Sequence, residues 1–285
     1  MTKKRKNAAP KKQEERMAIK MIVSDLDGTL LDGAYRLSAE NRAALQKAAA
    51  RGVLVTLATG RMFRSAARYA RELGLDSPVI SYNGALVQAM DGAVLASAFL
   101  SPEVVTKTLR YIFSRGWYVQ LYTAEGLFYA AETEAARVYR SASGVAGASV
   151  GEGGLLARTE GVPKLLVVAE NPAQTAPVIG ELTRALSGEI DVMASNPTYI
   201  EIVRPGVSKA AAMLAIAKNR GIEAAEIMAM GDSGNDVAML RAAGLGVAMG
   251  NAAPAVREAA DAVTACVEEN GAALAVRRYV LGEEV

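Results

Sequence analysis

The chain contains no histidine and a single cysteine, Cys266. The first absence excludes Ser-His-Asp triads, histidine-based metalloprotease motifs and histidine general bases. The second excludes an internal disulfide and a thiolate-built zinc site. Aromatic residues make up only 5% of the chain. No apolar run approaches the roughly 18 residues of a membrane span, and the basic start is not followed by an apolar signal-peptide segment. A soluble cytoplasmic protein with no membrane partner is expected. Its chemistry falls to carboxylates, lysine, hydroxyls and hard metal ions.

What is present is ample for a core: 285 residues, 51% hydrophobic and 22% charged. At about 150 residues per domain that suggests two compact units or one large one. The net charge of +2 hides an asymmetry. Residues 1–20 hold eight Lys/Arg against two Glu, leaving 24 basic and 28 acidic residues in 21–285. Residues 1–16, rich in Lys with Pro10 and no apolar periodicity, cannot bury enough surface to order themselves and are expected to form a disordered basic tail. The tail reads as a solubilising extension, or as translation assigned from an upstream start with Met17 as the true beginning. The competing reading is an arm for nucleic acid or another anionic surface.

From Met21 onward, short β-branched runs alternate with amphipathic segments, the grammar of βα units around a parallel sheet. Met21 to Ser24, Val53 to Leu57 and Val79 to Ser81 read as three strands, with helices over Ser38 to Ala50 and Arg64 to Leu73 between them. The same grammar returns late: helix Ser208 to Asn219, strand Ile227 to Met230, helix Asn235 to Ala243 and strand Leu245 to Ala248. These stretches read as two halves of one sheet. Between them, hairpin-like alternation interleaved with helices reads as an inserted α+β domain, in which Gly144 to Gly154 reads as a loop. The expected division is residues 17–83 and 203–285 as the core and 84–202 as the insert.

Four segments carry chemistry. In Ile22-Val23-Ser24-Asp25-Leu26-Asp27-Gly28-Thr29, an apolar strand ends on two carboxylates spaced by two. Asp25 can reach a metal and a substrate phosphorus together, and Asp27, turned back by Gly28, can work on the leaving group. The plainer reading is a polar turn. Leu57-Ala58-Thr59-Gly60-Arg61 puts a hydroxyl and a glycine amide at a helix start, where anions are favoured; an ordinary helix cap is the alternative. Gly206-Val207-Ser208-Lys209 places a lysine at another helix start, able to approach a phosphate and a nucleophilic Asp. In Met230-Gly231-Asp232-Ser233-Gly234-Asn235-Asp236, Asp232 is placed like a ligand for a hard cation, and Asn235 and Asp236 could hold Lys209 and the phosphate. All four lie at strand carboxyl ends or helix heads, where open α/β sheets bind ligands.

Together, Asp25-Leu26-Asp27-Gly28-Thr29, Thr59-Gly60-Arg61, Lys209 and Gly231-Asp232-Ser233-Gly234-Asn235-Asp236 resemble motifs one to four of the haloacid dehalogenase superfamily. Tyr82-Asn83-Gly84-Ala85 and Val247-Ala248-Met249-Gly250-Asn251-Ala252 resemble its Cof-type branch of subclass IIB. Ala210 stands where the family commonly has Gly, and the leader is foreign to the pattern. The resemblance implies a Rossmann-like three-layer parallel sheet with an inserted α+β cap domain of the C2B type. Spacing agrees: 26 residues lie between Asp32 and Thr59, too few for a cap, and 149 between Thr59 and Lys209.

The resemblance also implies an Mg²⁺-dependent phosphatase working through a phosphoaspartate on Asp25. Asp27 would serve as acid and then base. Mg²⁺ would be held by Asp25, Asp232 and the backbone carbonyl of Asp27. Thr59, Lys209, Asn235 and the amides of Leu26, Asp27 and Gly60 would bind the phosphoryl oxygens, with Asp236 in support. The expected partner is a small phosphorylated metabolite, such as a sugar phosphate, rather than nucleic acid. Ten of the fifteen aromatics, Tyr139 and Tyr199 among them, fall in the insert; they read first as its core and second as a platform for a substrate ring. Two other readings stand beside this one: a phosphomutase of the phosphomannomutase kind, and a binding or regulatory protein with a vestigial site.

Overall fold

Strand β1 (Met21–Ser24) is buried along its whole length, as a parallel strand covered on both faces must be. It opens a computed structural model that describes residues 18–124 and 126–284; the expected tail of residues 1–16 lies outside them. After β1 come α1 (Ala39–Ala50), β2 (Leu54–Leu57), α2 (Phe63–Glu72) and β3 (Val79–Ser81). The chain then runs through β4 (Leu86–Gln88), β5 (Val94–Ser97), α3 (Pro102–Ser114), β6 (Val119–Tyr122), β7 (Leu127–Tyr129), α4 (Glu134–Ser143), β8 (Gly147–Ser149), α5 (Gly151–Leu156), β9 (Leu165–Val168), α6 (Pro172–Ala185), β10 (Asp191–Ala194) and β11 (Tyr199–Val203). The chain closes with α7 (Lys209–Asn219), β12 (Ile227–Gly231), α8 (Val237–Ala242), β13 (Leu245–Ala248), α9 (Pro254–Glu258), β14 (Ala262–Val263) and α10 (Gly271–Val276).

The early and late stretches meet in one five-stranded parallel sheet of order β14-β13-β12-β1-β2. β1 sits between β12 and β2, with Met21 opposite both Ile227 and Leu54. The period-two alternation of β1 builds the three layers. Ile22 packs with Leu45, Tyr69 and Val276 from α1, α2 and α10. Met21 and Val23, on the opposite face, pack with Met213, Ile216 and Met239 from α7 and α8. All strands point the same way, so β1, β2 and β12 release the chain at one edge of the sheet, and there stand Asp25, Thr59 and Asp232.

The insert's larger sheet has six strands in the order β10-β11-β9-β6-β7-β8, antiparallel except where β8 joins β7. α3 and α6 cover one of its faces with Val105, Leu109, Ile112, Val178 and Leu182. Ser101 caps α3 by accepting the Val104 N–H, ahead of Pro102 and Glu103.

Two details differ from the sequence reading. β3 touches the core sheet only through a bridge between Ile80 and Ala58, and pairs along its length with β4 in a three-stranded antiparallel sheet, β3-β4-β5. The stretch Gly144 to Gly154 is not a loop but contains β8 and the start of α5. Pairing and packing override its weak propensity: a side chain at Gly147 would meet the Tyr129 ring at 2.8 Å, so glycine lets β8 close on β7, and Leu155, fully buried, anchors α5.

Candidate active site

Lys209 heads α7, whose N-terminus is capped by the Ser208 hydroxyl accepting the Ala211 N–H. Its ammonium group is only 1% exposed and reaches back under the end of β1. There Nζ donates to Asp25 Oδ1 at 2.6 Å and to Asp236 Oδ1 at 2.7 Å. Burial alone would lower the lysine's pKa, but the Asp236 and Asp25 charges outweigh it and raise the value, so Lys209 stays a cation. Asp25 moves the other way from an ordinary carboxyl. Burial holds its pKa well above the usual 3.8; Lys209 opposes that, while Asp236, Asp232 and Asp27 add repulsion.

Carboxylate oxygens of Asp25, Asp232 and Asp236 lie within 4.8 Å of one another. Asp232 follows β12 and accepts from the Thr29 hydroxyl at 3.2 Å and from the Ser233 hydroxyl at 3.1 Å. Burial, then the Asp236 charge, pushes its pKa up to about 6. Asp236 is already committed: besides Lys209, its Oδ2 accepts the N–H groups of Asp232 and Ser233, both at 3.0 Å. Gly28, at φ +75°, passes so close to Asp232 that a β-carbon would meet its Oδ2 at 2.5 Å. The turn after Asp27 therefore requires glycine for its backbone and for its proximity. The donor set is hard, anionic oxygen crowded beyond what one lysine neutralises, which fits a small divalent cation of the Mg²⁺ type.

Asp27 stands apart from this cluster. Its carboxylate, 43% exposed, accepts a two-pronged bond from Arg61, with Nε to Oδ2 at 2.7 Å and Nη2 to Oδ1 at 2.5 Å. Arg61 is buried, donates to the Ser65 hydroxyl at 3.1 Å and lies 5.0 Å from the centre of the Tyr35 ring. Thr59 is tied on three sides: its N–H donates to Ile80, its carbonyl accepts from the Asn83 N–H, and its hydroxyl accepts from the Arg61 N–H. Asn235 donates to the Asn83 side-chain oxygen at 2.9 Å, and its own side-chain oxygen is buried without a hydrogen-bond donor among the described residues.

These groups open on a cleft of about 160 Å³ between the carboxyl edge of the core sheet and the insert. Asp25, Asp27, Thr59, Gly60 and Asn235 line it from the core side; Lys164, Ser195, Asn196, Tyr199 and Glu201 line it from the insert. Asp232 and the buried Lys209 and Asp236 stand behind Asp25. Leu26 has its side chain wholly in the core, so only its backbone can contribute. Of the residues expected from sequence, all but Leu26's side chain are brought to this one region. Asn83 and Arg61 fall inside the Tyr82-Asn83-Gly84-Ala85 and Thr59-Gly60-Arg61 motifs, which give them no role, and no local signal in the sequence marks Tyr35, Lys164, Ser195, Asn196 or Glu201.

A parallel α/β core with strand-end acids, a buried lysine and an inserted α+β unit over them defines a Rossmann-like protein with a candidate active site at the carboxyl edge of its sheet. Comparison narrows this. The family of haloacid dehalogenase-like hydrolases matches residues 22–276. The chain is 32% identical over 271 residues to the 5-amino-6-(5-phospho-D-ribitylamino)uracil phosphatase YcsE of Bacillus subtilis, covering 94% of this chain and 99% of that one. Among solved structures, a haloacid dehalogenase-like hydrolase from Bacteroides thetaiotaomicron superposes with a TM-score of 0.81 at 30% identity, over 91% of this chain and 99% of the other. The subclass IIB sugar phosphatase BT4131 superposes with a TM-score of 0.81 at 25% identity, over 91% and 98%. The chain belongs to the haloacid dehalogenase-like hydrolases and is an enzyme of the phosphoric monoester hydrolase class. No helix among the described residues is long and apolar enough to cross a membrane.

Proposed function

We propose that the enzyme removes the phosphoryl group from a small phosphorylated metabolite, a sugar phosphate or a close relative, by way of a phosphoaspartate on Asp25. The observation that carries this reading is the Lys209 ammonium, 2.6 Å from Asp25 and 2.7 Å from Asp236, at a strand end that faces the cleft. A carboxylate so held has its orientation fixed, and the lysine's charge offsets the repulsion between a nucleophilic anion and an anionic phosphate.

In this reading Asp25 attacks phosphorus, and the bond to the leaving oxygen breaks as the new one forms. Thr59, the Gly60 amide, Lys209 and Asn235, the last through its side-chain NH2, hold the phosphoryl oxygens. Asp27 gives a proton to the leaving oxygen and then takes one from the water that splits the phosphoaspartate. The two-pronged bond from Arg61 holds Asp27 at the cleft wall as an acceptor-only carboxylate, so Asp27 gives a proton only after it turns from Arg61 and takes one up, and the proton it later receives from water restores it for the next cycle. Asp25, Asp232 and the Asp27 carbonyl would hold Mg²⁺, which supplies charge neutralisation for the transferring group when bound. The residue division 17–83 with 203–285 as core and 84–202 as cap belongs to the same proposal. The cap's contribution is the leaving-group side of the cleft, where the Tyr199 ring and the side chains of Ser195 and Asn196 suit a polar, partly planar group of modest size.

A panel of phosphomonoesters, scored by released phosphate with and without Mg²⁺, tests the reading. Release from several small phosphates that requires Mg²⁺ is the expected result. No release from any, or full release after exhaustive chelation, would refute it.

A further inference from the structure

Lys164 is as deeply buried as Lys209, yet the chemistry above gives it no work. It precedes β9 in the insert, and its side chain is 1% exposed. Glu201 on β11 lies opposite Leu166 on β9. Lys164 is two residues before Leu166, so it shares that face of the sheet and is a diagonal neighbour of Glu201. The two form an ion pair at 2.6 Å, with Glu201 4% exposed and also accepting the Ser195 hydroxyl at 2.9 Å. The ammonium group rests 4.6 Å from the centre of the Tyr122 ring and spends its remaining contact outside the insert, donating to the carbonyl oxygen of Gly60 at 2.8 Å.

That carbonyl belongs to the loop after β2. The same peptide's N–H, on Arg61, is held by the Thr59 hydroxyl at 3.1 Å. The preceding peptide is held through the Thr59 carbonyl by the Asn83 N–H at 3.0 Å. Of the backbone groups of Thr59 and Gly60, the Gly60 N–H alone carries no partner among the described residues, and it is the group assigned to a phosphoryl oxygen. Lys164 thus closes the set of bonds that fixes this loop around one free donor, and it does so from the other sheet. Stability does not account for the pair, because an apolar pair of similar volume generally serves a buried site as well or better. A cation on a carbonyl next to an anion site, by contrast, fixes a peptide dipole that would otherwise be free to turn its negative end toward the phosphate.

We propose that Lys164, anchored by Glu201, is a positioning residue that fixes the Gly60 peptide from the insert, so that phosphoryl binding in the core depends on the insert being docked. The proposal rests on the phosphatase reading above. It differs from a specificity role in one consequence: the loop holds the part common to all substrates, so its loosening must affect every phosphate equally, including inorganic phosphate, which has no leaving group.

The test uses the full chain with Mg²⁺, an aryl and an alkyl phosphate, inorganic phosphate as inhibitor, and thermal melting. Lys164→Met alone leaves Glu201 buried and unpaired, so the decisive variant is Lys164→Met with Glu201→Gln, which removes both charges and keeps shape and the Ser195 contact. It should melt close to wild type, bind inorganic phosphate about 10- to 100-fold more weakly, the range of a lost charge-assisted hydrogen bond, and lose kcat/KM by a similar factor on both substrates. Glu201→Gln alone keeps Lys164 on Gly60 with a weaker anchor and should show the same pattern to a smaller degree; it gives the reading should the double variant not fold. Wild-type inhibition by inorganic phosphate in either variant, or a loss confined to one of the two substrates, would overturn the proposal. A wild-type enzyme that neither releases phosphate nor is inhibited by it would instead refute the phosphatase reading.

Discussion

Two lysines are buried to the same degree in this protein, one in the core and one in the insert, and both are held by carboxylates. Their surroundings differ in charge balance. Lys209 meets Asp25 and Asp236 with Asp232 alongside, three carboxylates against one cation. Lys164 meets Glu201 alone and completes its bonding on a neutral carbonyl. A buried cluster with surplus negative charge is at rest only when another cation or protons enter it; a one-to-one pair is already complete. The core cluster therefore has the makeup of a place for ionic ligands, and the insert pair that of a fixed strut.

The sharpest way to break this contrast is Asp25→Asn. It should reduce phosphate release to background, since no other side chain at the site can replace the nucleophile. The protein should nevertheless melt no lower than wild type in the absence of metal, because a carboxyl whose pKa is raised in the fold opposes folding when ionised. Lost activity together with a lowered melting point would contradict the surplus-charge account.

Lys209→Met should act oppositely on stability. It strands Asp25 and Asp236 without their cation, a change worth about 3–5 kcal/mol where a buried pair is broken, and Mg²⁺ should recover part of the loss. Calorimetric melting with and without Mg²⁺ checks this; a variant as stable as wild type would show that the cluster is solvated.

Next in size is a pH effect. Asp232 titrates near 6 in the fold against a usual 3.8. Between those values the folded chain holds the proton that the unfolded chain has released, so stability falls as pH rises from about 4 to about 6 and is level above. Melting with chelator across this range, compared with Asp232→Asn, isolates the effect: the difference between the two proteins should grow with pH and vanish when Mg²⁺ is added to wild type. A difference independent of pH would contradict it.

The smallest expected effect on the first chemical step is that of Asp27→Asn with a substrate that has a good leaving group. Loss of the acid and base is worth roughly 10² to 10⁴ in rate where both are needed. An aryl phosphate needs no proton, so it should give a burst of about one equivalent and then a slow phase; an alkyl phosphate should be slow from the start. Stopped-flow product release distinguishes the two, and equal slowing of both would remove Asp27 from its role.

The core site was legible in the sequence because its residues sit where local rules place them. Asp25, Thr59 and Asp232 follow apolar runs that become parallel strands, and Lys209 follows a helix-capping Ser, so strand ends alone bring them together. The same rules left Val79–Ser81 half-read, since a bridge to Ala58 and full pairing with β4 depend on what the next strand does. They missed β8 and α5 because Gly147 reads as flexible until Tyr129 is placed against it. Lys164 and Glu201 were illegible for a stronger reason. Each is a lone charge in an apolar β segment, 37 positions from the other, and the bond from Lys164 to Gly60 exists only once one sheet docks on another. Arg61 lies in the Thr59-Gly60-Arg61 motif, but nothing local points it at Asp27.

The account's central claim is that Asp25 carries the phosphoryl group. The direct measurement is peptide mass spectrometry of the Asp27→Asn enzyme quenched during turnover of an aryl phosphate with Mg²⁺. The account predicts a phosphorylated peptide with the modification on Asp25, appearing with the burst and absent from the Asp25→Asn protein. A modification on any other residue, or none at any time while substrate is being consumed, would contradict it.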